Sequence, residues 1–578
     1  MRILGLSAYY HDSAAAIVID GKPIAAAQEE RFTRKKHDAS FPRHAVRYCM
    51  SAAGLSMDDL DAVVFYEKPF VKFERLLTTI VATAPRNMRQ YLAAMPVWMR
   101  EKLWLPASLR KELGYSGRLL FTSHHRSHAA SAFFCSGFPE ASVLTIDGVG
   151  EWETATRGYA RNLDITLTHK ISFPHSLGLL YSAFTGYLGF KVNSGEYKVM
   201  GLAPYGTPRY ESLIRDHLID VHTDGSFHVH QECFAYTYGL RMFNGKFERL
   251  FGRPAREPAS ALDQFHKDVA ASIQKVTSDV MVLLAAATVR ETGIPDLCMA
   301  GGVALNCVAN ANILREAGVR RLFVQPAAGD AGGALGAALD VFHSVERHPR
   351  SWKMEHAYFG PEFSDEEIGQ VLEQYGVPFE KCDRQGLLDR TARAILDQDV
   401  VGWFQGRMEW GPRALGNRSI LADARNPHNQ RRVNEKIKFR ESFRPFAPAV
   451  TEEHFSEWFA GPQDEYMLVT CSVRSDKRVL PSVTHVDGSA RTQTVKSSVN
   501  PLFHGLLSEV GRQSGCPVVI NTSFNVRGEP IVCTPVDALR CFFSTNIDSL
   551  AMGGYFVQKS RTSHVDASRF GDLKTSPD

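Results

Sequence analysis

Residues 1–28 read MRILGLSAYYHDSAAAIVIDGKPIAAAQ, and this stretch sets the expectation for the first half of the chain. Arg2 to Ser7 is an apolar strand and Ala14 to Ile19 a second. Asp20-Gly21 makes a tight turn, and Pro23 to Gln28 returns as a third strand. The loop between the first two strands carries His11 and Asp12. The pattern comes back at Val143 to Ile146, followed by Asp147-Gly148-Val149-Gly150-Glu151 and strand-like sequence to about Arg161. Each segment is an apolar strand, a polar turn and a returning hairpin, so the pair reads as a weak internal repeat.

Outward from these segments, residues 260–292 have helical periodicity. Leu297 to Ala300 is a strand entering the Gly301-Gly302 loop, whose N–H groups are expected to be free to cradle phosphate. A chain of 578 residues exceeds one hydrophobic core. Residues 343–365 are rich in Pro, His, Glu and Arg without periodicity, which places a boundary near 350 and domains at 1–350 and 351–578. Further strands are expected at Val400 to Phe404 and Pro517 to Ile520, and the polar stretch from about Arg561 to Asp578 is expected to be disordered.

Composition narrows the function. Apolar residues make up 44% and charged residues 22%, as in soluble globular proteins. A net charge of +3 gives no global basic field for nucleic acid. The ten cysteines include no Cys-x-x-Cys pair, which argues against zinc fingers and thioredoxin-like chemistry and suits a reducing cytoplasm. The first residues do not form a signal peptide, and the apolar run Val280 to Val289 is too short to span a bilayer, so no membrane role is expected.

Two constellations carry chemistry. In Ser123-His124-His125-Arg126-Ser127-His128, a helix puts His124 and His128 at i and i+4 on one face. Asp147 ends a strand before a Gly turn, and Asp330 lies between a strand and a helix. Two imidazoles and two carboxylates suit iron, manganese or zinc, and the ligand types do not choose among them. In the C-terminal part, Arg413 and Arg418 stand among glycines, Lys438 and Arg440 are read as alternating on an extended strand, and Ser523 and Asn525 alternate likewise. Arginine forks and a lysine point charge match a phosphate dianion.

At this point the sequence resembles a known family. HDSAAAIVIDG, QEERFTRKKH, SHHRSHAAS, IDGVGE, SGEYKVMGLAPYG, GGVALN and GDAGGALG are similar to the N-terminal half of the NodU/CmcH carbamoyltransferases. GPRALGNRS, Lys438-x-Arg440, THVDGSAR and INTSFN are similar to the C-terminal half. The stretches SAYYHDSAAA and FPHSLGLLYSAF look closest to the saxitoxin-type branch. The resemblance covers about residues 1–560 in order. It implies an α/β chain: an actin-like ATPase domain of the Kae1/TsaD type, then a twisted α/β domain of the YrdC/Sua5 type. The second would turn carbamoyl phosphate and ATP into carbamoyl adenylate, and the first would pass the carbamoyl group to a hydroxyl of a small-molecule acceptor. The implied metal is iron(II) on His124, His128, Asp147 and Asp330, with magnesium accompanying ATP. His11 matches the family's base, with Asp12 beside it, and Lys36, Lys198, Gly301, Gly302 and Asn306 are the expected nucleotide contacts. Arg413, Arg418, Lys438, Arg440, His485, Arg491, Ser523 and Asn525 are expected around carbamoyl phosphate or the ATP phosphates, with Asp487 nearby.

Three other readings compete. The balanced charge argues against a tRNA threonylcarbamoyl substrate. A hydrogenase-maturation relative would need zinc fingers, and a worn regulator would show broken motifs. Residues 70–120 (with Tyr91, Trp98, Trp104 and Lys111) and 234–257 (with Tyr236, Tyr238 and Phe251) read equally as a lid over the acceptor or as the interface of a homodimer.

Overall fold

The computed structural model describes residues 1–88, 91–92, 95–96, 98, 102–258, 260–477 and 479–571. They form two compact units, Met1–Glu29 with Ala39–Met354, and Glu30–Asp38 with the chain from Glu355.

The first unit is built on two five-stranded mixed sheets. One contains β1 (Arg2–Ser7), β2 (Ala14–Ile19), β3 (Lys22–Gln28), β4 (Ala62–Phe65) and β5 (Leu119–Phe121), in the order β3-β2-β1-β4-β5. The other contains β6 (Glu140–Ile146), β7 (Glu153–Arg161) and β8 (Asp164–Ser172). After a small hairpin of β9 (Ile219–Val221) and β10 (Phe227–Val229), it adds β11 (Asp296–Ala300) and β12 (Arg321–Val324). Read from β8, its order is β8-β7-β6-β11-β12, which repeats the first sheet strand for strand. In both, the first three strands are antiparallel and the last two join the first in parallel. The repeat legible in the hairpins therefore extends through the parallel strands, where the sequence signal was absent.

Each sheet is followed by a helix that carries site residues. After β5 comes α3 (His124–Ser136), preceded by α1 (Arg43–Ala53) and α2 (Pro69–Thr83). After β12 comes α6 (Asp330–Asp340), preceded by α4 (Gln264–Thr292) and α5 (Cys307–Glu316). By length and composition α4 is apolar enough to cross a membrane, but 72% of its most apolar window is buried in the protein, as in a core helix.

Helices α3 and α6 cross where glycine removes the side chain between them. A Cβ on Gly336 would lie 1.9 Å from the Ser127 carbonyl oxygen, and one on Gly5 would lie 1.9 Å from that of Ala334. Gly336→Ala is expected to cost about 3 kcal/mol, because backbone rather than a flexible side chain must move. Urea unfolding of the full chain measures it. An unchanged midpoint would mean that the two helices separate freely.

The second unit is a mixed eight-stranded sheet, ordered β13-β23-β22-β14-β15-β21-β16-β20, with a small antiparallel sheet of β17, β18 and β19. The strands are β13 (Glu380–Lys381), β14 (Val401–Phe404), β15 (Arg418–Asp423), β16 (Ala447–Thr451), β17 (Phe459–Ala460), β18 (Cys471–Val473), β19 (Ser489–Ala490), β20 (Gln493–Val495), β21 (Val518–Ser523), β22 (Ser549–Met552) and β23 (Tyr555–Gln558). Alternate residues of its central strands enter two cores. Phe404, Ile420 and Ile520 pack on one face, and Trp403, Leu421 and Val519 on the other. That double burial explains the near-continuous apolar runs.

Three expectations need correction. Residues 30–38 lie with the second unit, although the boundary was expected near 350: Arg34 donates 2.7 Å hydrogen bonds to the carbonyls of Pro530 and Ile531, and Arg31 one of 2.7 Å to Gly411. Residues 561–571 are ordered, because Phe570 is buried and stacks on Tyr375 and Phe543 at 4.6 and 4.8 Å. Residues 572–578 of that expected disordered tail lie outside the described ones. Lys438 and Arg440 are not on a strand. They follow α7 (Pro427–Lys436) in irregular backbone, with Phe439 at a left-handed φ of 49°. Ser523 is the last residue of β21 and Asn525 sits in the turn after it.

Candidate metal centre and cation site

In the first unit the repeat brings four donors together. His124 and His128 stand one turn apart on α3, Asp147 follows β6, and Asp330 opens α6. His124 Nε2 lies 2.9 Å from Asp147 Oδ2, 3.1 Å from His128 Nε2 and 3.7 Å from Asp330 Oδ1. His128 Nε2 lies 3.6 Å from Asp147 Oδ2 and 3.8 Å from Asp330 Oδ1. These separations bracket the edge of about 3.4 Å of a tetrahedron with bonds of about 2.1 Å. Asp330 Oδ1 is buried and makes no hydrogen bond among the described residues, and the same holds for Nδ1 of both histidines. Of these atoms the carboxylate oxygen faces the other donors, and a buried oxygen left in this state suits a bound cation. The four side chains thus fit a divalent ion.

The surroundings fix this geometry. The Ser123 hydroxyl makes no capping bond to α3, and both carboxylate oxygens of Glu151 accept the His124 N–H instead, at 3.0 Å. Asp147 Oδ1 accepts the Gly302 N–H at 3.0 Å, and Tyr66 donates to Asp330 at 3.3 Å. His125 is a structural histidine, bonded to the Thr145 hydroxyl at 2.7 Å and the Glu153 carbonyl at 2.9 Å.

Electrostatics follow from burial. Desolvation pushes His124 down to about 3, so its imidazole is neutral at pH 7. Burial alone would raise Asp147, but hydrogen bonds from His124 and His128 hold it well below the carboxylate range. Asp330 is pushed up to about 6, chiefly by burial. His11, bonded through Nδ1 to Asp12 at 3.1 Å, has Nε2 3.9 Å from Asp330 Oδ2. Burial works against its charge, but Asp330 and then Asp12 outweigh it and raise His11 to about 10.

Three of the expected nucleotide contacts, Gly301, Gly302 and Asn306, are bonded within the fold. The N–H groups of the Gly301-Gly302 loop are not free: Gly301 donates to the Ala328 carbonyl at 2.8 Å and Gly302 to Asp147. Asn306 caps α5 through the Ala309 N–H, and its amide pairs with Gln274 at 3.1 Å. Lys198 is fully buried, with its ammonium 5.5 Å from the Phe190 ring centre.

In the second unit, Lys438 is buried and donates to Ser523 Oγ at 3.1 Å, Asn525 Oδ1 at 2.6 Å and Asn525 O at 3.1 Å, and also to Ser523 O. Burial, reinforced by the charges of Arg440, Arg444 and Lys36, holds its ammonium well below the usual lysine range. Lys36, expected at the nucleotide, thus bears on the Lys438 group. Arg440 is braced by Asn434 at 2.6 Å and lies 4.6 Å over the Phe446 ring. Arg418, expected among the phosphate contacts, is engaged with the protein itself. It is fully buried, 3.7 Å over Phe404, and bonds the carbonyls of Gln405, Asn417 and Pro361. His485 is tied into the turn before β19 by the Val486 N–H at 2.8 Å, and Asp487 caps Ser489 in the same turn. Arg413 and Arg491 are half-buried.

Tyr66, which bonds Asp330, and Glu67, whose carboxylate lies 3.9 Å from His124 Nδ1, were missed in the sequence. Tyr66 and Glu67 follow β4 as Gly301 and Gly302 follow β11, so the repeat, extended to its parallel strands, points to them.

Residues 2–339 match the family model for the carbamoyltransferase N-terminus, and residues 392–559 that for the carbamoyltransferase C-terminus. The protein sll1178 of Synechocystis is 50% identical, with 96% of this chain and 97% of that one covered. Nodulation protein NolNO of Sinorhizobium fredii is 37% identical over 97% of this chain and 81% of its own. A 3'-hydroxymethylcephem-O-carbamoyltransferase of Amycolatopsis lactamdurans is 37% identical over 46% of this chain and 49% of its own. Among solved structures, component A of (R)-2-hydroxyglutaryl-CoA dehydratase from Acidaminococcus fermentans covers 59% of this chain and 98% of its own, at 16% identity and a TM-score of 0.31. With both halves matched in order, the chain belongs to the carbamoyltransferase family of the nodulation and cephem-carbamoylating proteins, and it is a transferase.

Proposed function

We propose that the protein is an ATP-dependent O-carbamoyltransferase acting in two stages, one in each unit. The observation that carries this reading is the presence of two distinct polar clusters, one in each unit. The four-donor centre lies in the first unit, and the buried Lys438 group lies in the second. In the second unit, carbamoyl phosphate and water give carbamate and phosphate, and carbamate displaces pyrophosphate from ATP to give carbamoyl adenylate. Magnesium accompanies the ATP. Lys438, Arg440 and Lys36 hold phosphate oxygens there, with Ser523 and Asn525 orienting the lysine. In the first unit, the acceptor oxygen bonds to the carbamoyl carbon and AMP leaves.

His124, His128, Asp147 and Asp330 would hold a divalent ion, with iron(II) implied by the family resemblance. When bound, it supplies Lewis-acid polarisation of the donor. His11 takes the acceptor hydroxyl proton at Nε2 while Asp12 fixes its ring through Nδ1. Asp330 is the largest charge holding His11 protonated, so His11 serves as a base only when that carboxylate is otherwise engaged. The duplicated sheets of the first unit support reading that unit as actin-like.

Pyrophosphate release tests the reading. It is expected from ATP only when carbamoyl phosphate is present, and a hydroxylated acceptor should gain one carbamoyl mass. Release from ATP without carbamoyl phosphate would sink the proposed first stage.

A further inference from the structure

We propose that Glu67 is a positioning residue for the metal ligand His124 and is itself held by Lys72, so that α2 contributes to the metal centre. The proposal rests on reading the four-donor group as a divalent-ion site.

A histidine that binds a metal through one ring nitrogen needs an acceptor for the N–H of the other, which fixes its tautomer and ring plane. His124 directs Nε2 at Asp147 and His128. Its Nδ1 is buried and has no hydrogen-bond partner among the described residues. The carboxylate facing it is Glu67, with Oε2 3.9 Å away. The other nearby acid, Glu151, is already committed to the backbone N–H groups of His124 and of Lys68, the latter at 2.8 Å.

Glu67 is buried, and so is Lys72, whose ammonium donates to Glu67 Oε2 at 2.6 Å. A buried carboxylate is costly without such a partner. Lys72 belongs to α2, and its ammonium also lies 4.6 Å from the Tyr10 ring centre, which is 4.6 Å from that of His11. The first helix of the 70–120 segment is therefore tied both to a metal ligand and to the loop of the base. A ring shift that shortens the 3.9 Å gap lets Glu67 accept the His124 Nδ1–H without breaking the ion pair, since a carboxylate accepts several hydrogen bonds.

The test is cobalt(II) titration of the metal-free full chain, followed by calorimetry and by the visible d–d absorption. Glu67→Gln is expected to bind cobalt about 10- to 100-fold more weakly than wild type and to alter the band shape. Because that variant leaves Lys72 buried without its partner, the double variant Glu67→Gln/Lys72→Met is measured beside it to separate loss of folding from loss of binding. It removes both charges, so its urea midpoint should return toward wild type while cobalt binding stays weak. Binding within twofold of wild type in both variants overturns the proposal and leaves the pair a packing feature. If wild type takes up no cobalt, or His124→Ala takes it up equally well, the four-donor reading fails, and the proposal falls with it.

Discussion

His124→Ala is expected to lower carbamoyl transfer by about a thousandfold or more while leaving carbamoyl-phosphate-dependent pyrophosphate release within about threefold of wild type. The reason is position. His124 Nε2 lies within 3.7 Å of each of the other three donor groups, so its loss opens the set at its centre. The variant also removes the principal hydrogen bond that keeps Asp147 ionised. Two buried carboxylates are then left with one imidazole, and divalent-ion affinity should collapse with transfer. None of this touches Lys438, which belongs to the other compact unit. Metal content, single-turnover transfer and pyrophosphate release, measured on one preparation, separate the outcomes. If His124→Ala also abolishes pyrophosphate release, the assignment of the two stages to two units is wrong. Treatment of wild type with a chelator should reproduce the same split.

The four-donor cluster was legible because each of its residues sits beside a local signal. His124 and His128 share a helical spacing, and Asp147 and Asp330 each follow a strand. Such signals arise from backbone periodicity, which is written in neighbouring residues. The supports of the centre were not legible, because they are made by contacts distant in sequence. Glu151 capping α3, Tyr66 reaching Asp330 across 264 positions, and Glu67 facing His124 depend on which strands become neighbours. Only the hairpin halves of the repeat were visible, since β4, β5, β11 and β12 pair in parallel through long crossovers. The same limit explains Arg418 and Asn306. An arginine among glycines is equally a phosphate ligand or a brace for carbonyls, and only packing distinguishes them. Arg418 packs on Phe404 and spends its guanidinium on three carbonyls. The strand expected at Lys438 failed for a related reason. The preceding α7 runs to Lys436, and the chain then turns through a left-handed Phe439, which points the lysine into the unit rather than along a sheet.

Lys438→Met is expected to abolish carbamoyl-phosphate-dependent pyrophosphate release and at the same time to stabilise the ligand-free protein by about 1–3 kcal/mol. The two effects have one cause. Lys438 is buried among neutral oxygens of Ser523 and Asn525, with Arg440, Arg444 and Lys36 adding positive charge around it. Its ammonium is therefore costly in the empty site, and an anion brought by a substrate offsets that cost. The sign with pH follows from its depressed proton affinity. A lysine held below its unfolded value binds fewer protons folded than unfolded, so stability rises with pH toward about 10.5, where the unfolded lysine also loses its proton. That alkaline rise should flatten in Lys438→Met. Pyrophosphate or carbamoyl phosphate should stabilise wild type, by about 2.7 kcal/mol at a concentration one hundred times its dissociation constant. The variant should show no such shift. Urea midpoints of both proteins, with and without pyrophosphate across pH 7 to 10, decide the matter. A Lys438→Met protein that is less stable than wild type and still responds to pyrophosphate would show that the lysine is a packing element and that the phosphate is held elsewhere.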